Sequence, residues 1–301
     1  MPTPLVSVVV PNYNHAHYLK QRLESILSQT FQDFELILLD DCSTDGSHDI
    51  LEGYRGNPHV SHLFYNETNS GSAFRQWKRG IELAQGEWIW IAESDDYAEP
   101  TFLERMVEEV AKVPRCCLAY AATWWVDEKG DRLWEAKYSN KVNVYHGQDF
   151  ILKKLAVCNS IVNVSECIFR RDCYRPAESY RYEHMRLCGD WLFYVLLAEQ
   201  GNVIEVDKPL SYYRQHHSNI SSDAEHRGLT LLEGADVLEY MQSHCNLKPG
   251  DYAKGWGKLW ANYERQYQFN AEVRRKIQQR LAIHTDIRLF HFLYRLKSWL
   301  R

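Results

Sequence analysis

Leu5-Val-Ser-Val-Val-Val-Pro-Asn-Tyr-Asn14 is the stretch on which the fold turns. Leu5 to Val10 is a nearly continuous apolar run, rich in β-branched side chains, and Pro11-Asn12 ends it. A strand buried on both faces reads this way, whereas a strand with one wet face alternates. Tyr18, Leu19, Leu23, Ile26 and Leu27 follow at helical spacing within Tyr18–Gln29. Phe34–Leu39 is a second apolar strand, closed by Asp40-Asp41. Ser43-Thr-Asp-Gly46 is turn chemistry leading into a short helix to about Tyr54. Val60–Tyr65 predicts a third strand, Ser72–Ala84 a helix stopped by Gly86, Trp88–Ala92 a fourth strand, and Pro100–Lys112 another helix. Such alternation predicts an α/β fold with a mostly parallel sheet, right-handed crossovers and flanking helices.

The middle of the chain is more mixed. Leu118–Val126 is apolar and β-rich, and Asp127-Glu-Lys-Gly130 reads as a hairpin turn. Glu166–Arg170 predicts a short strand and Trp191–Glu199 a helix. Val203–Val206 predicts a strand ending at Lys208-Pro209, and Ser211–Arg214 the last one. Beyond Ser222 the pattern is helical, which predicts a body over residues 1–221 and a helical extension over 222–301.

Composition is that of an ordinary globular protein: 45% hydrophobic and 25% charged over 301 residues. Disordered, collagenous and coiled-coil chains are excluded. The net charge of −5 argues against a nucleic-acid coat. Residues 1–221 carry 22 basic and 31 acidic side chains, whereas residues 222–301 carry 13 and 9. An acidic body with a basic tail suggests two jobs. No basic segment opens the chain ahead of a long apolar run, and no stretch nears the ~20 apolar residues that span a bilayer. The eight cysteines include no C-x-x-C pair. Reduced core thiols in a cytoplasmic protein are the expectation.

In an open α/β sheet, ligands bind at the carboxyl ends of the strands. Here those ends carry Pro11-Asn-Tyr-Asn14, Asp40-Asp41 and Glu93-Ser-Asp-Asp96. Carboxylates crowded together repel unless a cation sits among them. Mg²⁺ or Mn²⁺ wants oxygen ligands and often bridges to phosphate. These residues therefore point to a metal-assisted site for a phosphate-bearing ligand. Asp40, Asp41 and Asp45 have an alternative reading as turn and helix-cap residues.

Val6-Ser-Val-Val-Val-Pro-Asn-Tyr-Asn14, Phe34-Glu-Leu-Ile-Leu-Leu-Asp-Asp41 and Ser43-Thr-Asp-Gly-Ser47 resemble the start of glycosyltransferase family 2. Asn69-Ser-Gly71, Gly86-Glu-Trp-Ile-Trp-Ile91, Glu93-Ser-Asp-Asp96, Cys188-Gly-Asp-Trp191 and Tyr213-Arg-Gln-His216 continue the resemblance over about residues 5–221. It implies a GT-A fold, with a nucleotide-binding half at about 1–115 and an acceptor half at about 116–221. It also implies inverting transfer from a nucleotide-diphosphate sugar, a UDP-sugar by preference, to a glycan or lipid-linked acceptor. The bacterial enzymes resembled build surface polysaccharides of the O-antigen and capsule type.

Carried over by the resemblance, Pro11 and Tyr13 would line the base pocket and Asp41 would accept from the base N–H. Asp95 would hold the ribose, and Asp96 would ligate the Mn²⁺ or Mg²⁺ that bridges the diphosphate. Asp190 falls on the catalytic base. Arg214 and His216 would sit near the phosphates or the metal, with His217 an equal candidate as ligand. The pattern departs at Glu93, where many members have Asp. It departs again at Phe74-Arg-Gln-Trp-Lys-Arg79, which leaves Arg75 as a phosphate candidate, and at Gly189, which is expected to leave room for an acceptor.

Trp124, Trp125, Trp134, Tyr138 and above all Trp191 could stack on a sugar, or serve as packing. In the tail, Leu289, Phe292, Leu293, Leu296, Trp299 and Leu300 fall on one helical face and Arg288, His291, Arg295 and Ser298 on another. That pattern suits a peripheral helix on an anionic membrane surface, or one packed on the body. A nucleotidyltransferase would want a glycine- and lysine-rich phosphate loop near the start, which Pro11-Asn-Tyr-Asn14 is not. A non-catalytic glycan-binding scaffold would be expected to lack Asp95, Asp96 or Asp190, and all are present.

Overall fold

The computed structural model describes residues 3–178, 180–216, 227–266, 271–283 and 286–299. In chain order the elements are β1 (Val6–Asn12), α1 (Ala16–Leu27), β2 (Phe34–Asp40), α2 (Ser47–Glu52), β3 (Val60–Tyr65), α3 (Ala73–Leu83) and β4 (Trp88–Ile91). Next come β5 (Tyr97–Ala98), α4 (Phe102–Lys112), β6 (Cys116–Val126), β7 (Val142–His146), α5 (Gly147–Phe150) and β8 (Cys167–Arg170). The chain continues with α6 (Tyr180–Glu183), α7 (Gly189–Ala198), β9 (Asn202–Arg214), α8 (Arg227–His244), α9 (Pro249–Gln266), α10 (Ala271–Ile283) and α11 (Asp286–Trp299).

Among the described residues, nine strands form one sheet in the order β3-β2-β1-β4-β8-β6-β9-β5, with β7 also on β9. β3, β2, β1 and β4 are parallel to one another, and β8 runs antiparallel between β4 and β6. β1 is buried along its whole length, as its unbroken apolar run required. Val9 joins Phe74, Trp77 and Ile81 of α3 on one face, while Val6, Val8 and Val10 join Leu19, Leu23 and Ile26 of α1 on the other. Gly80 lets α3 lie close on β1, since a Cβ there would fall 2.1 Å from Val9.

The two late strands expected on either side of Lys208-Pro209 are one strand, β9. It runs parallel to β6 with register shifts around Ala122, between the Ala121–Val206 and Thr123–Ser211 pairs. A proline cannot donate to a ladder, and a bulge is where a sheet tolerates it. The strands β5 and β7 were not foreseen, because Tyr97–Ala98 and Val142–His146 are too short or too polar to show a period.

The helical extension does not stand apart. Leu231, Leu238 and Met241 of α8, Trp256 of α9, Ile277 of α10 and Ile287 of α11 join the core cluster that contains α7. Among the described residues, no helix is long and apolar enough to cross a membrane. All eight cysteines are free thiols.

Candidate active site

The Glu93–Asp96 loop leaves the carboxyl end of β4, next to the end of β1. Sequence reasoning gave the cation to Asp96. The structure turns Asp96 inward: one oxygen accepts from Ser165 Oγ and Asn163 Nδ2, each at 2.7 Å, and the other from the Arg214 N–H at 3.0 Å. Burial, with Asp95 beside it, pushes the Asp96 carboxyl up to about 7. Asp95 faces the other way, its Oδ2 2.9 Å from Nε2 of His216. Burial would raise the Asp95 pKa, but the His216 hydrogen bond and the nearby His15 and His216 charges hold it below the usual carboxylate range.

His15, just past β1, stands edge-on to His216 with ring centroids 5.6 Å apart. One ligand atom from each of His15, Asp95 and His216 lies within 4.8 Å of the others. Sequence reasoning missed His15, although its place at the carboxyl end of β1 was a signal. His217, the other candidate at that point, lies outside the described residues.

Glu93 accepts the Trp77 indole N–H at 2.6 Å. Burial, with Asp95 adding to it, pushes its carboxyl up to about 8, so it is mostly protonated at neutral pH. Beneath this loop lies Arg22, fully buried, its guanidinium 4.9 Å above the Trp90 ring. Its three nitrogens have no hydrogen-bond partner among the described residues. Burial lowers its pKa to about 10, while Asp96, Asp95 and Glu93 pull the other way, so it stays a cation under the acidic loop.

At the end expected to receive the base, Pro11 is buried within β1 and Tyr13 is 47% exposed. Asp41 is buried and accepts from Ser70 N–H at 2.9 Å, Ser70 Oγ at 2.8 Å and Gln76 Nε2 at 2.9 Å. Arg75 is exposed and donates to the Ser70 carbonyl at 2.8 Å, so Asp41 and Arg75 grip the same turn. Asp40 accepts from Asn12 and from the Ser43 N–H, and Asp45 accepts from the N–H groups of Ala16 and Ser47. Both thus tie down the turns that follow β1 and β2.

Asp190 is the second residue of α7, two residues past the Cys188 cap. Its Oδ1 accepts the Trp191 N–H at 2.7 Å and its Oδ2 accepts from Asn159 Nδ2 at 2.9 Å. Burial outweighs both donors and pushes its carboxyl up to about 7. Sequence reasoning did not single out Asn159. One segment thus serves both acidic groups, since Asn159 donates to Asp190 while Asn163 and Ser165 donate to Asp96.

Three expectations meet a different arrangement. The space beside Gly189 is filled, because a Cβ there would lie 2.5 Å from the Phe74 ring. Trp191 is buried, and its indole N–H donates to the Leu155 carbonyl at 3.1 Å, so it packs the core. Arg214 is also buried, and its guanidinium donates to the carbonyls of Asp95, Asp127 and Glu128 and to Gln21. It braces the loop around the acidic motif. Trp134 stays 49% exposed, with its ring centroid 5.0 Å from that of Trp125.

Residues 7–171 match glycosyl transferase family 2. The chain is 33% identical to chondroitin synthase of Escherichia coli over 222 residues, which cover 73% of this chain and 30% of that one. It is 40% identical to glycosyltransferase GlyG of Streptococcus pneumoniae over 106 residues, 35% of each chain. The chain thus matches about a third of the length of these relatives. The crystal structure of S. aureus TarS 1-349 in complex with UDP-GlcNAc is similar in fold, with TM-score 0.64 and 19% identity over 85% of this chain and 72% of that one. With more than half of the sequence matched and the sheet order and acidic loop in place, the chain belongs to glycosyl transferase family 2 and has a GT-A fold.

Proposed function

We propose that this protein is an inverting, metal-dependent glycosyltransferase of bacterial polysaccharide synthesis. It transfers a hexosyl or N-acetylhexosaminyl group from a UDP-sugar to a hydroxyl of a glycan or lipid-linked acceptor. The chondroitin synthase likeness and the UDP-GlcNAc carried by TarS support that choice of chemistry. The observation that carries the reading is Asp190, a carboxylate held by two donors and poised to gain or lose its proton near neutral pH.

Ionised, Asp190 accepts the proton of the acceptor hydroxyl as that oxygen attacks the anomeric carbon. Attack opposite the diphosphate inverts the centre, and a positioned base contributes ~10²–10⁴-fold in rate. Tyr13 offers an exposed ring to the base, and Asp41 and Arg75 fix the turn beside it. Asp95 and His216 are the residues that would hold Mn²⁺ or Mg²⁺, and the close spacing of their ligand atoms fits a divalent ion. When bound, the ion offsets the negative charge that builds on the departing diphosphate. Exposed Leu289, Phe292 and Leu293 of α11, with Arg288 and Arg295 nearby, support a peripheral contact with an anionic membrane surface where a lipid-linked acceptor would reside.

A panel of nucleotide sugars screened by thermal shift, with and without Mn²⁺, tests the reading. One UDP-sugar should raise the melting temperature with Mn²⁺ present and release UDP when an acceptor is added. Equal silence from every nucleotide sugar would overturn it.

A further inference from the structure

His15 brings a second imidazole to the proposed cation site, and its surroundings are built to hold that ring. Its Nδ1 lies 2.8 Å from Ser94 Oγ, and Ser94 is 1% exposed. With Nδ1–H donating to that hydroxyl, Nε2 keeps its lone pair for a ligand. A metal-bound histidine is oriented in this way, by a hydrogen bond from its other nitrogen. The ring also stands edge-on to Tyr18, at 6.2 Å between centroids, and to His216.

The spacing suits coordination. Ligand atoms about 2.1 Å from a divalent ion and at right angles stand about 3 Å apart. His216 Nε2 and Asp95 Oδ2 are 2.9 Å apart, and a ring nitrogen of His15 lies within 4.8 Å of a ligand atom of each of these residues. Three segments far apart in sequence converge here: the start of α1, the loop after β4 and the end of β9.

Donor chemistry sets what such a site prefers. Mg²⁺ takes oxygen ligands and parts reluctantly with its water. Imidazole favours transition ions, and two imidazoles with one carboxylate is a set that suits them. We infer that His15 is a third protein ligand which makes this a transition-metal site, selective for ions such as Mn²⁺ over Mg²⁺. The inference rests on the reading of Asp95 and His216 as ligands and adds the residue that sets metal choice.

The test uses the full chain without donor or acceptor, and reads Mn²⁺ binding from loss of the free-ion electron paramagnetic signal. His15→Gln, which can still bond Ser94, should weaken Mn²⁺ binding at least tenfold, since losing even an outer partner of a ligand costs ~10–100-fold. Mg²⁺ binding, read by competition, should change much less, so that selectivity narrows. Electron–nuclear double resonance on Mn²⁺-loaded wild type should show two imidazole nitrogens, and on His15→Gln only one. That count stands even if the variant folds poorly, because one nitrogen in wild type overturns the proposal. Wild-type Mn²⁺ affinity in a folded His15→Gln protein also overturns it. Asp95→Asn separates the two readings. If wild type and Asp95→Asn bind Mn²⁺ alike, the cation site itself is wrong. If Asp95→Asn fails and His15→Gln does not, only the role of His15 falls.

Discussion

Asn159 holds Asp190 side chain to side chain, its amide nitrogen 2.9 Å from a carboxylate oxygen at the start of α7. The bond favours the ionised carboxylate, while burial favours the neutral acid and prevails, leaving the group at about 7. A base must be ionised to accept a proton, so kcat/KM for transfer should rise with pH through about 7. Asn159→Leu removes a donor to the charged form. Its acidic limb should move up by about one to two pH units, because such a bond contributes ~1.5–3 kcal/mol and one unit is 1.36 kcal/mol. A pH–rate profile that stays in place would mean that Asn159 does not tune the base.

Asp190→Asn should fold, bind UDP-sugar like wild type and transfer sugar at least a hundredfold more slowly, by the usual worth of a positioned base. A second readout follows from linkage. The folded pKa is raised from 3.8 to about 7, so the acid stabilises the fold fully below about 4, and this is lost as pH rises through about 7. The variant has no such loss. Melting temperatures at pH 5 and pH 8 should therefore show Asp190→Asn gaining on wild type at the higher pH. A constant difference would mean that the carboxyl titrates normally in the folded chain.

The parallel half of the sheet was legible because β1 and β2 are apolar without alternation and Asp and Asn mark their ends. Side-chain direction was not legible. Adjacent Asp95 and Asp96 look equivalent in sequence, yet Arg214 N–H, Asn163 and Ser165 claim Asp96 and leave Asp95 to His216. The Phe74–Gly189 contact was hidden for a similar reason. Gly189 was expected to leave room for an acceptor, but the ring of Phe74 lies where a side chain at 189 would be. Asn159 and His15 gave no periodic signal, because their roles come from long-range packing.

Arg22 sets up a prediction of opposite signs. It is a buried cation under Glu93, Asp95 and Asp96, and it lowers the cost of gathering them. Arg22→Met keeps much of the contact with Trp90 and removes the charge. The Arg22 guanidinium makes no hydrogen bond among the described residues, so its loss removes a through-space attraction rather than a pairing. The metal-free protein should therefore lose less than the ~3 kcal/mol of a broken buried ion pair. The site becomes more negative at the same time, so Mn²⁺ should raise the melting temperature more in the variant than in wild type. A metal-induced shift no larger than that of wild type would show that Arg22 acts through packing alone.

The last helix separates packing from surface more sharply than its sequence pattern did. Ile287 is buried, and His291, expected on the polar face, stacks on Trp260 with ring centroids 3.8 Å apart. Gly257 lets α11 come this close, since a Cβ there would lie 2.7 Å from the backbone nitrogen of His291. Leu289, Phe292 and Leu293 point elsewhere, 57%, 57% and 42% exposed. The side chains of Leu296, Trp299 and Leu300 lie outside the described residues. Deleting α11 would therefore strip cover from α9 and confuse folding with membrane binding. The combined change Leu289→Ser, Phe292→Ser and Leu293→Ser leaves the Ile287 and His291 contacts intact. Full burial of one such side chain contributes ~1.5–3 kcal/mol, so even half-insertion of three gives more than ~2 kcal/mol, above the 1.4 kcal/mol of a tenfold change. Sedimentation with phosphatidylglycerol vesicles should fall at least tenfold by that reckoning, while melting temperature and hydrolysis of a soluble donor stay near wild type. Added salt should weaken wild-type binding as well, because Arg288 and Arg295 act through a screened charge attraction. If wild type ignores anionic vesicles, or the triple variant sediments equally, the exposed face of α11 does not meet a membrane.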